Sequence, residues 1–184
     1  MSRERTFLLI KPEGVRRGLV GEILARFARA GLEMVALKEV RPTRKFLERI
    51  SPSDDVYLQR FGERALEFYR DSDNDPMKVF GSREPRDVGS VMREWNIRHR
   101  LGGDLVVAIF TGESAIKAVR KLIGPTSPLE APAGTIRGDF STDSPEAANR
   151  RGVACDNIVH ASADAEEAER EIADWFGEEP VKSL

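Results

Sequence analysis

A single cysteine, Cys155, excludes an intrachain disulfide, and with only two histidines in 184 residues the candidates for nucleophilic or acid–base work are few. Charge of one sign is lacking too: 29 Lys and Arg against 31 Asp and Glu leave a net charge of −2. That removes the global basic field by which a protein holds nucleic acid or an anionic membrane. Aromatic residues amount to 7% and form no stripe of the kind that stacks RNA bases. Long apolar runs are missing. The longest, LVVAIF at 105–110, is strand-sized, and TFLLI at 6–10 is too short for a secretory core. Neither G-x-x-x-x-G-K-[ST] nor G-x-G-x-x-G occurs, so any phosphate must be met by side chains. There is no internal repeat, heptad or low-complexity tail. What remains, 40% hydrophobic and 33% charged residues, is the balance of one globular domain in a reducing, cytoplasmic setting.

Periodicity places the elements. The aliphatic run 6–10 ends at Lys11-Pro12, where proline stops a strand. Val20, Ile23, Leu24 and Phe27 then fall at helical spacing over 19–30, with Gly31 at the position of a helix-terminating glycine. A second strand is expected over 32–40, with Met34 and Ala36 on one face and Val35 and Leu37 on the other. The stretch 43–103 is less periodic, with helices expected over 53–69 and 88–99 and a polar loop at 71–76. A doubly buried strand follows at 104–110, then a helix over 114–123. The Pro- and Gly-rich run 124–139 reads as a long working loop. A fourth strand is expected over 157–160, and an acidic helix over 164–176, capped by Asp164 with Glu167. Two strand–helix–strand halves predict a ferredoxin-like βαββαβ sandwich, an α+β fold in which helices cover a four-stranded antiparallel sheet. The whole chain reads as a single domain, 1–184, enlarged at 41–103 and carrying an insertion at 141–153.

Chemistry has few places to sit. His99, among arginines in NIRHRL, reads as a solvated helix residue. His160 ends a strand just before a helix, where exposed side chains carry function. Glu171 follows in that helix; folded back, its carboxylate would fix the imidazole tautomer and leave the other nitrogen as a nucleophile. Taken alone, Glu171 reads as a solvated neighbour of Glu166, Glu167 and Glu169. Lys11, Arg120 and Arg137 are singly unremarkable surface charges, although Gly134 and Gly138 around Arg137 suggest close backbone approach. Thr126 could offer a hydroxyl to a phosphate oxygen. Cys155 reads as a small buried hydrophobe.

In combination these residues fall into a pattern. ERTFLLIKPEGVRRGLVGEILARFARAGLEMVALK at 4–38, VRKLIGPTSP at 119–128, GTIRGDF at 134–140 and NIVHAS with EAEREIADWF within 157–176 resemble, in the same order, the nucleoside diphosphate kinase family. The resemblance implies γ-phosphate exchange between nucleoside triphosphates and diphosphates, by a ping-pong route through a phosphohistidine at His160. Glu171 would orient that imidazole. Arg120, Thr126 and Arg137 would hold the nucleotide's phosphates, while Lys11 and Asn157 would contact the sugar 3′-hydroxyl and the transferring group. Mg²⁺ would arrive with the nucleotide, with no metal site on the protein. The family also implies a homo-oligomer, hexamer or tetramer, and partners that are nucleotides rather than nucleic acid or membrane. Departures are local: KPD reads KPE at 11–13, HGSD reads HASA at 160–163, and the base-stacking position falls near Asp87, with Phe61, Phe68 or Phe80 as replacement rings. Alternatives are a catalytically weak nucleotide-binding module of the same fold and, less consistent with the charge, a nucleic-acid binder.

Overall fold

The computed structural model describes residues 3–70 and 74–177. Residues 71–73 of the expected polar loop lie outside them. By contacts the chain divides into two compact units. The first comprises the chain through Arg41, Gly103–Thr142, and the chain from Asn157 onward; the second comprises Pro42–Gly102 and Asp143–Asp156. Of the stretches expected as enlargements, residues 42–102 and 143–153 fall in the second unit.

The first unit is built on one antiparallel sheet. Strands β1 (Arg3–Ile10), β2 (Glu33–Val40), β3 (Leu105–Glu113) and β4 (Val159–Ala161) lie in the order β2-β3-β1-β4. This is the expected ferredoxin-like sheet. β1 pairs with β3 from Arg3 opposite Glu113 to Ile10 opposite Val106. β4 is shorter than expected and pairs Leu8 with Ala161, Leu9 with His160 and Ile10 with Val159.

Side-chain alternation makes that register decisive. Leu8 and Ile10 join Val159 and Ala161 in the core with Phe27, Phe110, Val119 and Ile123. This face is covered by α2 (Val20–Arg29) and α7 (Ala115–Ile123). Phe7, Leu9 and His160 point to the other face, where Trp175 of α10 (Ala165–Phe176) stacks on Phe7 with centroids 6.1 Å apart. A one-residue slip of β4 would bury the imidazole among aliphatic side chains.

Three local outcomes differ from expectation. Pro12 both ends β1 and opens a short helix, α1 (Pro12–Arg16), because its fixed φ suits a first helical position. In β2, Met34 pairs with Phe110 and Ala36 with Ile109, so Val35 is an extra, bulged residue. Met34 and Ala36 consequently do not share a face, since the bulge flips the alternation. The run 124–139 is not all loop: a 3₁₀ turn (Pro128–Glu130) precedes α8 (Ile136–Phe140), whose N-cap Thr135 accepts from the Gly138 N–H.

The second unit is helical among its described residues: α3 (Arg44–Ile50), α4 (Asp55–Glu67), α5 (Pro76–Phe80), α6 (Pro85–Arg100) and α9 (Pro145–Arg150). Thr43, Asp54, Asp75 and Ser144 cap four of these helices through their side chains. Tyr69, Phe80, Val88, Trp95 and Ala154 form the core. α4 and α6 cross at two glycines, where a Cβ on Gly62 would lie 1.7 Å from the Pro85 carbonyl oxygen and one on Gly89 2.0 Å from that of Leu58. Among the described residues no helix is long and apolar enough to cross a membrane.

Gly62→Ala should therefore force the two helices apart and lower stability by about 1–3 kcal/mol, the usual cost of overpacking. Gly21→Ala on α2, whose added Cβ meets nothing within 4 Å, should instead raise it by about 0.5–1 kcal/mol. Denaturant midpoints of the two variants check the contrast.

Candidate active site

His160 owes its position to two elements. β4 directs the ring toward α10, and α10 starts where Asp164 accepts the Glu167 N–H at 2.8 Å. Seven residues on, about two turns, Glu171 stands on the stripe that also carries Ala168, Ile172 and Trp175, all buried. Its Oε1 lies 2.5 Å from His160 Nε2, and its Oε2 accepts from Ser162 Oγ at 2.6 Å. Ser162 is fully buried. An ionised carboxylate only accepts, so Nε2 carries the proton and Nδ1 keeps its lone pair. The imidazole is 28% exposed, enough for a ligand to reach it. Glu167 adds a third group, with ligand atoms of His160, Glu167 and Glu171 all within 4.8 Å of one another. Both carboxylates are already engaged, Glu167 Oε2 by the Ala163 N–H at 2.7 Å.

On the N-terminal side of β4 the backbone makes a tight turn. Ile158 has φ 68°, a left-handed conformation that a β-branched residue rarely adopts, and the Val159 N–H closes on the Asn157 carbonyl at 2.7 Å. Neighbouring groups hold the turn. The Lys11 backbone N–H donates to the Ile158 carbonyl at 2.8 Å, and the Ile158 N–H donates to Glu13 Oε1 at 3.0 Å. Asn157 is buried; its Oδ1 accepts from Lys11 Nζ at 2.6 Å and its Nδ2 donates to the Thr126 carbonyl at 2.9 Å.

Arg137, buried on α8, donates to three carbonyls: Asn157 at 3.3 Å, Gly124 at 2.8 Å and Val159 at 2.9 Å. The sequence suggested a phosphate ligand; the guanidinium also ties the loop after α7 to the entry of β4. Gly138 permits the approach, since a Cβ there would sit 2.3 Å from the Pro132 carbonyl oxygen.

Lys11, Asn157, Thr126 and Arg137 are thus linked by hydrogen bonds, and His160 and Glu171 by another. Arg120 is exposed in the last turn of α7, joined to the group through its carbonyl, which accepts from the Gly124 N–H at 3.2 Å. Thr126 is exposed as well. Sequence reasoning missed Glu13, Ile158 and Ser162. Ser162 had a visible signal, lying between His160 and the Asp164 cap. Of the three candidate rings, Phe80 is buried in the core of the second unit, between Tyr69 and Trp95. Phe61 and Phe68 remain half-buried on α4 and just after it.

An α+β sheet that carries a carboxylate-held histidine, with lysine and arginine around the same strand end, is the equipment of a phosphotransferase. Comparison with known proteins agrees. The family model for nucleoside diphosphate kinase matches residues 4–54 and 94–181, so the unmatched middle, 55–93, lies within the second unit. A nucleoside diphosphate kinase of Pyrobaculum aerophilum is 45% identical over 98% of this chain and 99% of its own. The crystal structure of an NDP kinase from the same organism superposes with a TM-score of 0.92 at 45% identity, covering 98% of this chain and 99% of that one. The Borrelia burgdorferi nucleoside-diphosphate kinase, solved as a transition-state mimic with vanadate and ADP, gives 0.74 at 29% identity, covering 99% and 92%. The chain belongs to the nucleoside diphosphate kinase family, whose members are nucleotide-binding phosphotransferases.

Two outcomes follow from the geometry. Arg137→Ala should lower stability by at least about 2 kcal/mol, because three carbonyls lose a charged donor at once; thermal unfolding checks it. Asp139 on α8 accepts from the Gly134 N–H at 2.8 Å and from Arg26 at 2.6 Å. The Gly134 N–H, and then Arg26, hold its carboxyl below the usual range. A lowered folded pKa stabilises above the unfolded value, about 3.9, and that contribution fades as pH falls through the folded one. Asp139→Asn should therefore lower the denaturant midpoint at pH 7 and matter progressively less below about pH 4.

Proposed function

We propose that His160 Nδ1 is the phosphate-accepting atom of a ping-pong nucleoside diphosphate kinase. The observation that carries this is the 2.5 Å contact between His160 Nε2 and Glu171 Oε1, which fixes the proton on one nitrogen and the lone pair on the other. In the first half-reaction the Nδ1 pair attacks the γ-phosphorus of a nucleoside triphosphate. The N–P bond forms, the bond to the β-phosphate oxygen breaks, and the diphosphate leaves with that electron pair. Positive charge growing on the ring is stabilised through Nε2–H by Glu171, which Ser162 holds in place. A second nucleoside diphosphate then attacks the same phosphorus and reverses these bonds.

Such a loose transfer asks the protein for alignment and charge neutralisation. Lys11 and Asn157 would meet the sugar hydroxyl and the group in flight; Arg120, Thr126 and Arg137 would meet the phosphates. Mg²⁺ would come with the nucleotide and offset the charge on its phosphates. The carboxylates beside His160 are engaged by the imidazole, Ser162 and the Ala163 N–H, so the ion's ligands would be phosphate oxygens and water. We further assign the enzyme to the cytoplasm as a homo-oligomer, and take the helical second unit as an elaboration on a kinase sheet.

Purified protein mixed with Mg²⁺ and γ-labelled ATP should retain an acid-labile, base-stable label that GDP or UDP removes. His160→Ala should take no label while binding ATP with nearly unchanged affinity. Glu171→Ala should slow labelling by about 100-fold without abolishing it, the scale of a misaligned reacting group. Full labelling of His160→Ala would mean another nucleophile, and tight ATP binding without label in the wild type would mean a binding module.

A further inference from the structure

Glu13 lies outside the set of residues assigned to the chemistry, yet its carboxyl is buried, 4% exposed, behind the turn that leads to His160. Burying such a group is unfavourable unless donors meet it. One donor here is the backbone N–H of Ile158, 3.0 Å from Oε1. That residue holds φ 68°, a conformation whose strain for a β-branched side chain favours relaxation to negative φ.

Both polar groups of Ile158 are gripped from the start of α1: its N–H by the Glu13 side chain, its carbonyl by the Lys11 backbone N–H at 2.8 Å. Gly14 leaves room for this approach, since a Cβ there would lie 2.8 Å from Ile10 Cγ2 and 3.2 Å from Ile158 Cγ2. Asn157 precedes the turn and meets Lys11, and His160 follows it by two residues. Relaxation of the turn would move both.

Building on His160 as nucleophile, we infer that Glu13 is a positioning residue for phosphoryl transfer, holding Ile158 in the left-handed turn that sets Asn157 and His160 in register. It touches neither nucleotide nor phosphate. Its effect passes through the backbone, and depends on what sits at position 158.

The test is a double-mutant cycle read by single-turnover labelling from saturating Mg²⁺ and γ-labelled ATP, with amide hydrogen exchange at residue 158. Glu13→Ala should slow labelling about 30- to 100-fold, the scale of a misplaced reacting group, and speed exchange of the Ile158 N–H at least about tenfold. Glycine takes positive φ without strain, so in the Ile158→Gly background the same change should cost less than about threefold. Equal penalties in both backgrounds, wild-type labelling by Glu13→Ala, or an unchanged Ile158 amide would each overturn the inference. If Glu13→Ala does not fold, Glu13→Met, similar in length but without a strong acceptor, carries the same expectations. Label on His160→Ala would instead remove the nucleophile assignment, while the amide exchange would still decide whether Glu13 holds the turn.

Discussion

The left-handed backbone at Ile158 is the constraint on which the site depends. A strand entering the sheet in the ordinary way would carry Asn157 away from Lys11. The turn instead places Asn157 against Lys11 Nζ and the Thr126 carbonyl, then lets β4 begin at Val159, which sets His160 opposite Leu9. Five backbone groups of the turn have partners. The Asn157 carbonyl accepts from Val159 N–H and Arg137, the Ile158 N–H and carbonyl meet Glu13 and Lys11, and the Val159 carbonyl meets Arg137. A strained residue persists where its surroundings over-determine it, and here α1 and α8 do so from two directions.

The same contacts explain why charged side chains can be buried beside the sheet. Lys11, Glu13 and Arg137 are each less than a tenth exposed, and each has a hydrogen-bond partner on the 157–159 segment. Donors fixed in this way need little reorganisation when negative charge arrives, which is what a phosphoryl-transfer site requires. Arg137 has five N–H donors, and three are directed at carbonyls. Its position is therefore set by the fold before any ligand is present. Lys11 is held likewise by Asn157.

How much of this could be read from residues alone depends on range in sequence. β3 announced itself through six consecutive apolar residues, and α2 through spacing and a terminal glycine, because those signals are local. Glu171 was legible only through the family motif that follows His160; by itself it reads as one more acid beside Glu166, Glu167 and Glu169. The turn at Ile158 was not legible. Asn-Ile-Val-His has strand propensity throughout, and the groups that override it, Glu13 and Arg137, are brought in by tertiary structure. The bulge at Val35 was hidden for the same reason, since alternation continues across it in sequence. In the second unit the crossing of α4 and α6 rests on Gly62 and Gly89, which leave no apolar period to detect.

The helical segment just ahead of Asn157 shows how the chain keeps a strict geometry beside it. Its two ends are joined within the second unit: Asp143 Oδ2 accepts from the Asp156 N–H at 3.0 Å, and the same carboxylate pairs with Arg151 at 3.0 Å. Burial pushes that carboxyl's pKa up, but the Asp156 N–H, Arg151 and the Ser144 N–H outweigh it and leave the group below its ordinary value. It is thus ionised at neutral pH and bonds across the base of that segment. α9 and its flanking turns are closed off between residues 143 and 156, so their length is not transmitted to the strand that follows. A loop whose ends are pinned can grow at low entropic cost. Asn157 then meets Lys11 and the Thr126 carbonyl beyond that closed segment.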